Sequence, residues 1–529
     1  MKAPCDELAI RCGPAAVSRS ASAGTWVLAA AILGSSMAFI DSTVVNVALP
    51  ALQSSLGATV IGAQWVIEAY ALFLGALILV GGSIGDLFGR RRAFLMGVTV
   101  FAAASAWCGL SPSIHQLIIA RAFQGLGAAF LVPGSLSLIS ASFDANERGR
   151  AIGTWSGFTA MTTALGPVLG GWLIQHASWR WAFFINLPIG IIVIAISLKH
   201  VPESRSKTAK HVDWLGAAVI TLGLGGLVYG LIESARLGWK DPLVLGSLIL
   251  GVACLITFYF VEARLAEPMV PLQLFRSRPF TGANLLTLFL YAATGVFFFL
   301  FPLNLIQVQG YSATATGAAA LPFIVLESLL SRWAGGLAAR YGPRLPLIVG
   351  PLIIALGFTL FATLSVGGSY WSTFFPAFTV LGFGMTVSVA PLTTVVMSAV
   401  DQDRAGTASG INNAVARVAG LLAIAVFGIV MFQSFSDHLD RSLTRLPLST
   451  VQMKELQSNY VKLAAIEIPP GLDRSTSKEI KASVNEAFVH GFRLVMLICA
   501  ALAVAGAAQS CWMIPGQASL HPDLQQQPS

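Results

Sequence analysis

Long apolar runs separated by short polar punctuation fill this chain from about Trp26 to Trp512. Set against the ~20 residues that a helix needs to cross a hydrocarbon core, they predict helices at about 25 to 49, 63 to 82, 93 to 110, 115 to 140, 150 to 174 and 182 to 199. Two more are predicted at about 213 to 232 and 242 to 262, then six at about 279 to 304, 311 to 333, 345 to 364, 371 to 398, 405 to 432 and 489 to 513. The expected fold is an all-α polytopic membrane protein of 14 spans: two six-helix bundles plus two inserted transmembrane helices. The corresponding division is a tail at 1–24, a first bundle at 25–199, the inserted pair with its linkers at 200–278, a second bundle at 279–513 and a tail at 514–529. Within the second bundle, residues 433–488 carry mixed charge and a Pro469-Pro470-Gly471 break, so they read as a solvated extramembrane cap.

Two polar interruptions resemble each other. Gly82-Ser83-Ile84-Gly85-Asp86-Leu87-Phe88-Gly89-Arg90-Arg91-Arg92 follows the second run, and a weaker echo, Gly335 to Arg344, follows the tenth. Glycine permits a sharp turn and close helix approach, and an arginine cluster at a helix mouth marks a cytoplasmic loop. Across the short loops, 19 Lys and Arg fall on the Arg90 side against Arg180, Arg236 and Lys240 on the other. That asymmetry predicts a multi-pass protein of the cell membrane with both termini cytoplasmic. The first run is longer than the ~7 to 15 residues of a signal-peptide core, which makes it a retained span.

Composition agrees with this pattern: 55% hydrophobic residues and 11% charged, against about 25% charged in soluble domains. The net charge of +8 sits in loops between spans, so it reflects topology and gives no nucleic-acid face. Six cysteines show neither a loop pair nor a zinc spacing, which leaves them as small packing residues. No Gly-x-x-x-x-Gly-Lys-Ser/Thr occurs, so the chain encodes no nucleotide-driven pump and no cofactor is expected beyond a proton gradient as energy source.

The interruption Gly82-x-x-x-Asp86-x-x-Gly89-Arg90-Arg91 resembles the loop signature of the major facilitator superfamily, and Arg121-Ala122-Phe123-Gln124-Gly125-Leu126-Gly127 its fourth-helix signature. Gly153 and Gly166-Pro167-Val168-Leu169-Gly170-Gly171 are similar to the antiporter signature of its exporters. Ile40-Asp41-Ser42-Thr43-Val44-Val45-Asn46-Val47-Ala48-Leu49-Pro50 and Trp179 to Gly190 resemble the fourteen-helix drug/proton antiporters of the EmrB/QacA type. The resemblance implies a major facilitator fold, an acidic residue of the first helix in proton coupling, and an antiporter seal at Gly153, Gly166, Pro167, Gly170 and Gly171.

A charge inside a span costs at least ~2.5 kcal/mol, so each needs a partner or a purpose. Asp41, Glu68 and Arg121 are expected to share the outer half of the first bundle and to meet around a cavity, with a structural ion pair as the plainer reading. Glu327 in the tenth span is placed nearer the cytoplasm, as a proton site or an inner gate with Arg332. Arg417, beside Asn412 and Asn413, is expected to support helix packing. Gly82, Asp86, Gly89 and Arg90 are candidates for gating. Phe297, Phe298 and Phe299 read as packed or lipid-facing residues.

The expected function is secondary transport: two bundles rocking about a midplane site and exporting drugs or other amphipathic, cationic compounds against protons. A dedicated exporter of one metabolite is the alternative, and a non-transporting receptor or scaffold a remoter one. No nucleophile, base and oxyanion set converges at one depth, so an enzyme is not expected. Expected partners are a small-molecule substrate, protons and the lipid bilayer, with accessory export proteins as a further class and no nucleic acid.

Overall fold

The computed structural model describes residues 21–516 except 144, 206–211, 266–267, 401–404, 447 and 470–471. The first tail up to residue 20, the second from 517, Cys5, Cys12, the Pro470-Gly471 break and the Arg332 side chain therefore lie outside the described residues. Among those described, 13 helices are long and apolar enough to cross a membrane, and the 17-residue Pro346–Ala362 is a shorter fourteenth.

The first bundle comprises α1 (Ala21–Leu56), α2 (Val60–Phe88), α3 (Arg90–Leu110), α4 (Ile114–Ser142), α5 (Ala145–His176) and α6 (Trp181–His200, broken at Ile185). The inserted pair is α7 (Trp214–Leu237) and α8 (Pro242–Arg264). The second bundle comprises α9 (Arg278–Leu303), α10 (Ala313–Ala319 and Leu321–Tyr341), α11 (Pro346–Ala362), α12 (Tyr370–Ser398), α13 (Ala405–Leu443) and α14 (Arg474–Met513). Ser and Thr cap the ends where the backbone needs partners: Thr59 accepts from Gly62 N–H, Ser113 from Gln116 N–H and Ser312 from Ala315 N–H. The end of the bundles carrying Arg90 to Arg92 is here termed the arginine face, and the opposite end the loop face.

Small residues set how closely the helices approach. A Cβ at Gly81 would run into the Ala129 carbonyl, and one at Gly125 into that of Tyr70, so α2 and α4 pack backbone to backbone. That close contact lies at Gly81; the next glycine, Gly82, meets only the Pro133 side chain at an ordinary 3.7 Å. A second run of contacts joins the bundles. A Cβ at Gly171 of α5 would strike the Ala313 carbonyl of α10, and one at Gly317 of α10 would strike the Pro167 carbonyl of α5. At the same face Gln307 Nε2 donates to Gln53 Oε1 at 2.8 Å. Toward the arginine face, Gly153 and Gly157 of α5 and Gly335 and Gly336 of α10 have nothing within 4 Å of where a Cβ would stand. The loop face is closed by direct helix contact; the glycines nearer the arginine face stand clear.

The inserted helices do more than flank the bundles. Leu224, Val228 and Ile232 of α7 share one apolar cluster with Ile61, Leu72 and Ala76 of α2 and with Leu421 and Ala425 of α13, so α7 lies along the seam between the bundles. Trp65 Nε1 donates to Glu233 Oε1 at 3.0 Å, tying α7 to α2.

Several expected boundaries move. Helix α1 runs seven residues beyond Leu49, to Leu56. The solvated cap expected over 433–488 is corrected in both extent and character. Helix α13 continues to Leu443 and α14 begins at Arg474, which leaves 444–473 as the connection, with a short helix Thr450–Ser458 and a tight turn Tyr460–Ala465. Leu456, Tyr460, Leu463, Ala464 and Ile466 in it are buried in the apolar cluster that both bundles share, and Tyr460 donates to Asp440 Oδ1 at 2.7 Å. Apolar residues every few positions let this segment dock instead of standing in solvent.

Candidate functional site

Helix α1 brings Asp41 to ~22 Å from its loop-face end, deeper than an end at Leu49 would place it. Opposite it, Arg121 of α4 donates through Nη1 to Asp41 Oδ2 at 2.5 Å and to Gln124 Oε1 at 2.7 Å, and through Nε to the Val66 carbonyl at 2.9 Å. Gln124 Nε2 donates to Asp41 Oδ1 at 2.8 Å and to Ser105 Oγ at 3.2 Å. Asn186 Nδ2 donates to the same Ser105 oxygen at 3.0 Å. The Tyr70 ring closes the site, 4.3 Å from the guanidinium carbon.

Asp41, Ser105, Gln124 and Asn186 are 0% exposed and Arg121 is 1% exposed. Out of water a charge is tolerable only when opposed and hydrogen-bonded, and this pair is both. The network joins α1, α2, α3, α4 and α6, so a change of charge at Asp41 alters contacts in five of the six helices of the bundle.

The expected meeting of three charges is corrected to a pair. Glu68 is 0% exposed, and neither carboxylate oxygen has a hydrogen-bond partner. One turn earlier Gln64 donates to the Ile424 carbonyl of α13 at 3.4 Å, and two turns later Gly75 meets Arg417 of α13. Residues seven apart share a helix face, so Glu68 belongs to the face of α2 that packs on α13 and not to the one that holds Arg121.

Glu327 lies 14 residues from Ala313, the distance expected from the start of its span, and 14 from Tyr341 at the other end of α10. It is half-buried and within electrostatic reach of the Tyr291 hydroxyl, as is Arg417. The packing hydrogen bonds expected of Arg417 are made instead by its neighbour Asn412, which donates to Asn284 Oδ1 at 3.1 Å and Thr287 Oγ1 at 2.7 Å. Phe297 and Phe299 are buried, Phe297 within a ring cluster with Phe301, Phe358, Phe361 and Phe378.

At the arginine face, Arg90 binds Asp86 at 2.8 Å within the signature itself, and Glu203 after α6 lies 3.8 Å from Arg91 and 3.7 Å from Arg92. The turn is confined to Gly89, whose φ of +120° favours glycine and whose missing side chain leaves room for Glu203. In α5, a Cβ at Gly166 would meet Thr43 Oγ1 of α1, and Val44 lies against Gly170. Pro167 and Gly171 supply the contact with α10. The four described cysteines, Cys108, Cys254, Cys499 and Cys511, carry free thiols.

The Major Facilitator Superfamily matches residues 31–424. The multidrug resistance protein Stp of Mycobacterium tuberculosis is 34% identical, with 91% of this chain and 90% of that one covered. The tetracenomycin C resistance and export protein of Streptomyces glaucescens is 32% identical over the same shares. In structure the chain resembles a bacterial homolog of the human lysosomal transporter Spinster, inward-facing and unoccupied, with a TM-score of 0.63, 17% identity, and 94% and 100% of the two chains covered.

Proposed function

Because this chain belongs to the Major Facilitator Superfamily, we propose that it is a proton-driven exporter of drug-like amphipathic compounds, with Asp41 the coupling acid. The observation that carries the reading is the enclosed Asp41–Arg121 pair, whose hydrogen bonds tie five helices to one carboxylate. A proton on Asp41 removes the charge that opposes Arg121, and with it the reason for the helices to keep this arrangement. An ion-pair network that differs between two states biases them. Each proton entering down 100 mV supplies about 2.3 kcal/mol.

In this reading the arginine face is cytoplasmic, with tails 1–24 and 514–529 inside and the protein in the cell membrane. Residues 25–199 and 279–513 are the rocking bundles, and the seam helices within 200–278 move with them. Gly166, Pro167, Gly170 and Gly171 form the seal at the loop face, and Gly153 lies where the bundles part. Asp86 and Arg90, turned by Gly89 and approached through Gly82, are freed to engage the other bundle when the arginine face closes.

The test is proton release from the purified protein in weak buffer on adding ethidium. Release by the native chain that disappears in Asp41→Asn is expected. Equal release from both dismisses Asp41, and none from the native chain dismisses proton exchange. A second reading, export of one particular metabolite, is favoured by the relative named for tetracenomycin C resistance and export. A toxic-compound panel on cells with and without the gene separates the two by breadth.

A further inference from the structure

The charged side chains with exposed surface in the middle of the membrane are not Asp41 and Arg121, which saturate each other, nor the enclosed Glu68. Among the described residues they are Glu327 and Arg417, both half-buried.

Arg417 stands 12 residues, ~18 Å, into α13 from Ala405, too deep for its side chain to reach a headgroup. Its Cβ lies 3.3 Å from where a Cβ of Gly75 would be, so α13 presents it to α2 at the seam between the bundles. On the first-bundle side the Tyr70 hydroxyl is within electrostatic reach, and that hydroxyl is buried with no hydrogen-bond partner. On the second-bundle side is the Tyr291 hydroxyl, which also feels Glu327.

No carboxylate of the described residues comes within ion-pair distance of Arg417. An unopposed guanidinium at this depth is costly, and a guanidinium is the side chain best suited to grip a planar pair of acceptor oxygens. Here it faces the seam together with an unsatisfied phenol. What it lacks is an acceptor, and what the site receives is the exported molecule.

We infer that Arg417 binds an acidic oxygen of the exported compound, so that the substrates of this chain include aromatic or amphipathic molecules bearing a phenolate, enolate or carboxylate. The inference rests on the reading of the chain as an exporter, and it names the chemistry that reading leaves open. Tyr70 donates a second hydrogen bond to the same group. Glu327, across the site, admits molecules that carry a cation as well.

Dye binding to the purified full-length protein in detergent, followed by anisotropy, tests this without requiring transport. The probes are carboxyfluorescein, an anion, and ethidium, a cation. The native chain is expected to bind carboxyfluorescein saturably. Arg417→Gln weakens that by about tenfold or more, the loss of a charge-assisted hydrogen bond, and Arg417→Lys weakens it less; ethidium binding stays within about twofold in both. In Glu327→Gln the loss is expected to fall on ethidium, the cation, more than on carboxyfluorescein. The inference is overturned by absence of saturable carboxyfluorescein binding, by equal binding in Arg417→Gln, or by loss of both dyes in Arg417→Gln and Glu327→Gln alike, the sign of a purely structural balance between the two charges. Uphill transport of ethidium in vesicles is scored separately: its absence counts against the exporter reading, whatever the anisotropy reports.

Discussion

Arg121 and Asp41 face each other 2.5 Å apart with less than 2% of either exposed. Breaking such a pair leaves one buried charge without its partner, which costs about 3–5 kcal/mol. Arg121→Ala is therefore expected to lower the thermal melting temperature of the purified protein sharply. The double variant Asp41→Asn, Arg121→Gln carries no orphaned charge and should recover most of that stability. Recovery of transport in the double variant would contradict a coupling role for Asp41, because no acid would remain at the site.

Glu68 predicts the opposite behaviour. Neither of its oxygens is bonded, so Glu68→Gln removes no hydrogen bond, and any charge it removes is one the site does not compensate. The melting temperature is expected to stay level or rise. A fall comparable to that of Arg121→Ala would mean that a partner is engaged in the dominant conformation.

The span count was legible because a hydrocarbon core imposes one length and one polarity on every helix that crosses it. Helix ends were less so: α1, α13 and α14 continue past their apolar stretches, since helical hydrogen bonding does not stop at the edge of the lipid. Asp41 and Arg121 stood out because charge in a span is expensive. Gln124, Ser105 and Asn186 did not, because neutral polar side chains carry less of that cost, although Gln124 and Asn186 sit inside the very signatures that pointed to the family. Depth alone groups Glu68 with Arg121. Depth follows from residue number, but the direction a side chain takes around the helix depends on which neighbour packs there, and Gln64 and Gly75 place that face on α13.

The connection 444–473 should respond to alkaline pH. Burial and the hydrogen bond to Asp440 hold the Tyr460 phenol above the usual tyrosine range, which is about 10. A group whose folded value is raised contributes its stability below the unfolded value and loses it as the pH climbs through the folded one. Docking of this segment is thus intact at pH 8 and weakens above about pH 10. Limited proteolysis within 444–473 should speed up over that range in the native chain. Tyr460→Phe should be cut faster already at pH 8, by an amount matching the ~1 kcal/mol of a net hydrogen bond, and should show a flatter pH response.

Gly171 and Gly317 make the sharpest mechanical prediction, because each faces a backbone carbonyl of the other bundle, Ala313 and Pro167 respectively. Backbone cannot swing aside as a side-chain tip can, and overpacking a close helix contact costs ~1–3 kcal/mol. Gly171→Leu and Gly317→Leu are each expected to hold the loop face apart and to shift the population toward a conformation open there. At Gly153 the same substitution meets nothing within 4 Å, so the closed loop face tolerates it. Its effect is felt only if the two stripes come together when the arginine face closes. Spin labels at the loop-face ends of α5 and α10 report the outcome: longer distances in Gly171→Leu, unchanged distances in Gly153→Leu. Unchanged distances in Gly171→Leu would show that these helices yield at the contact, and that the seal is made elsewhere.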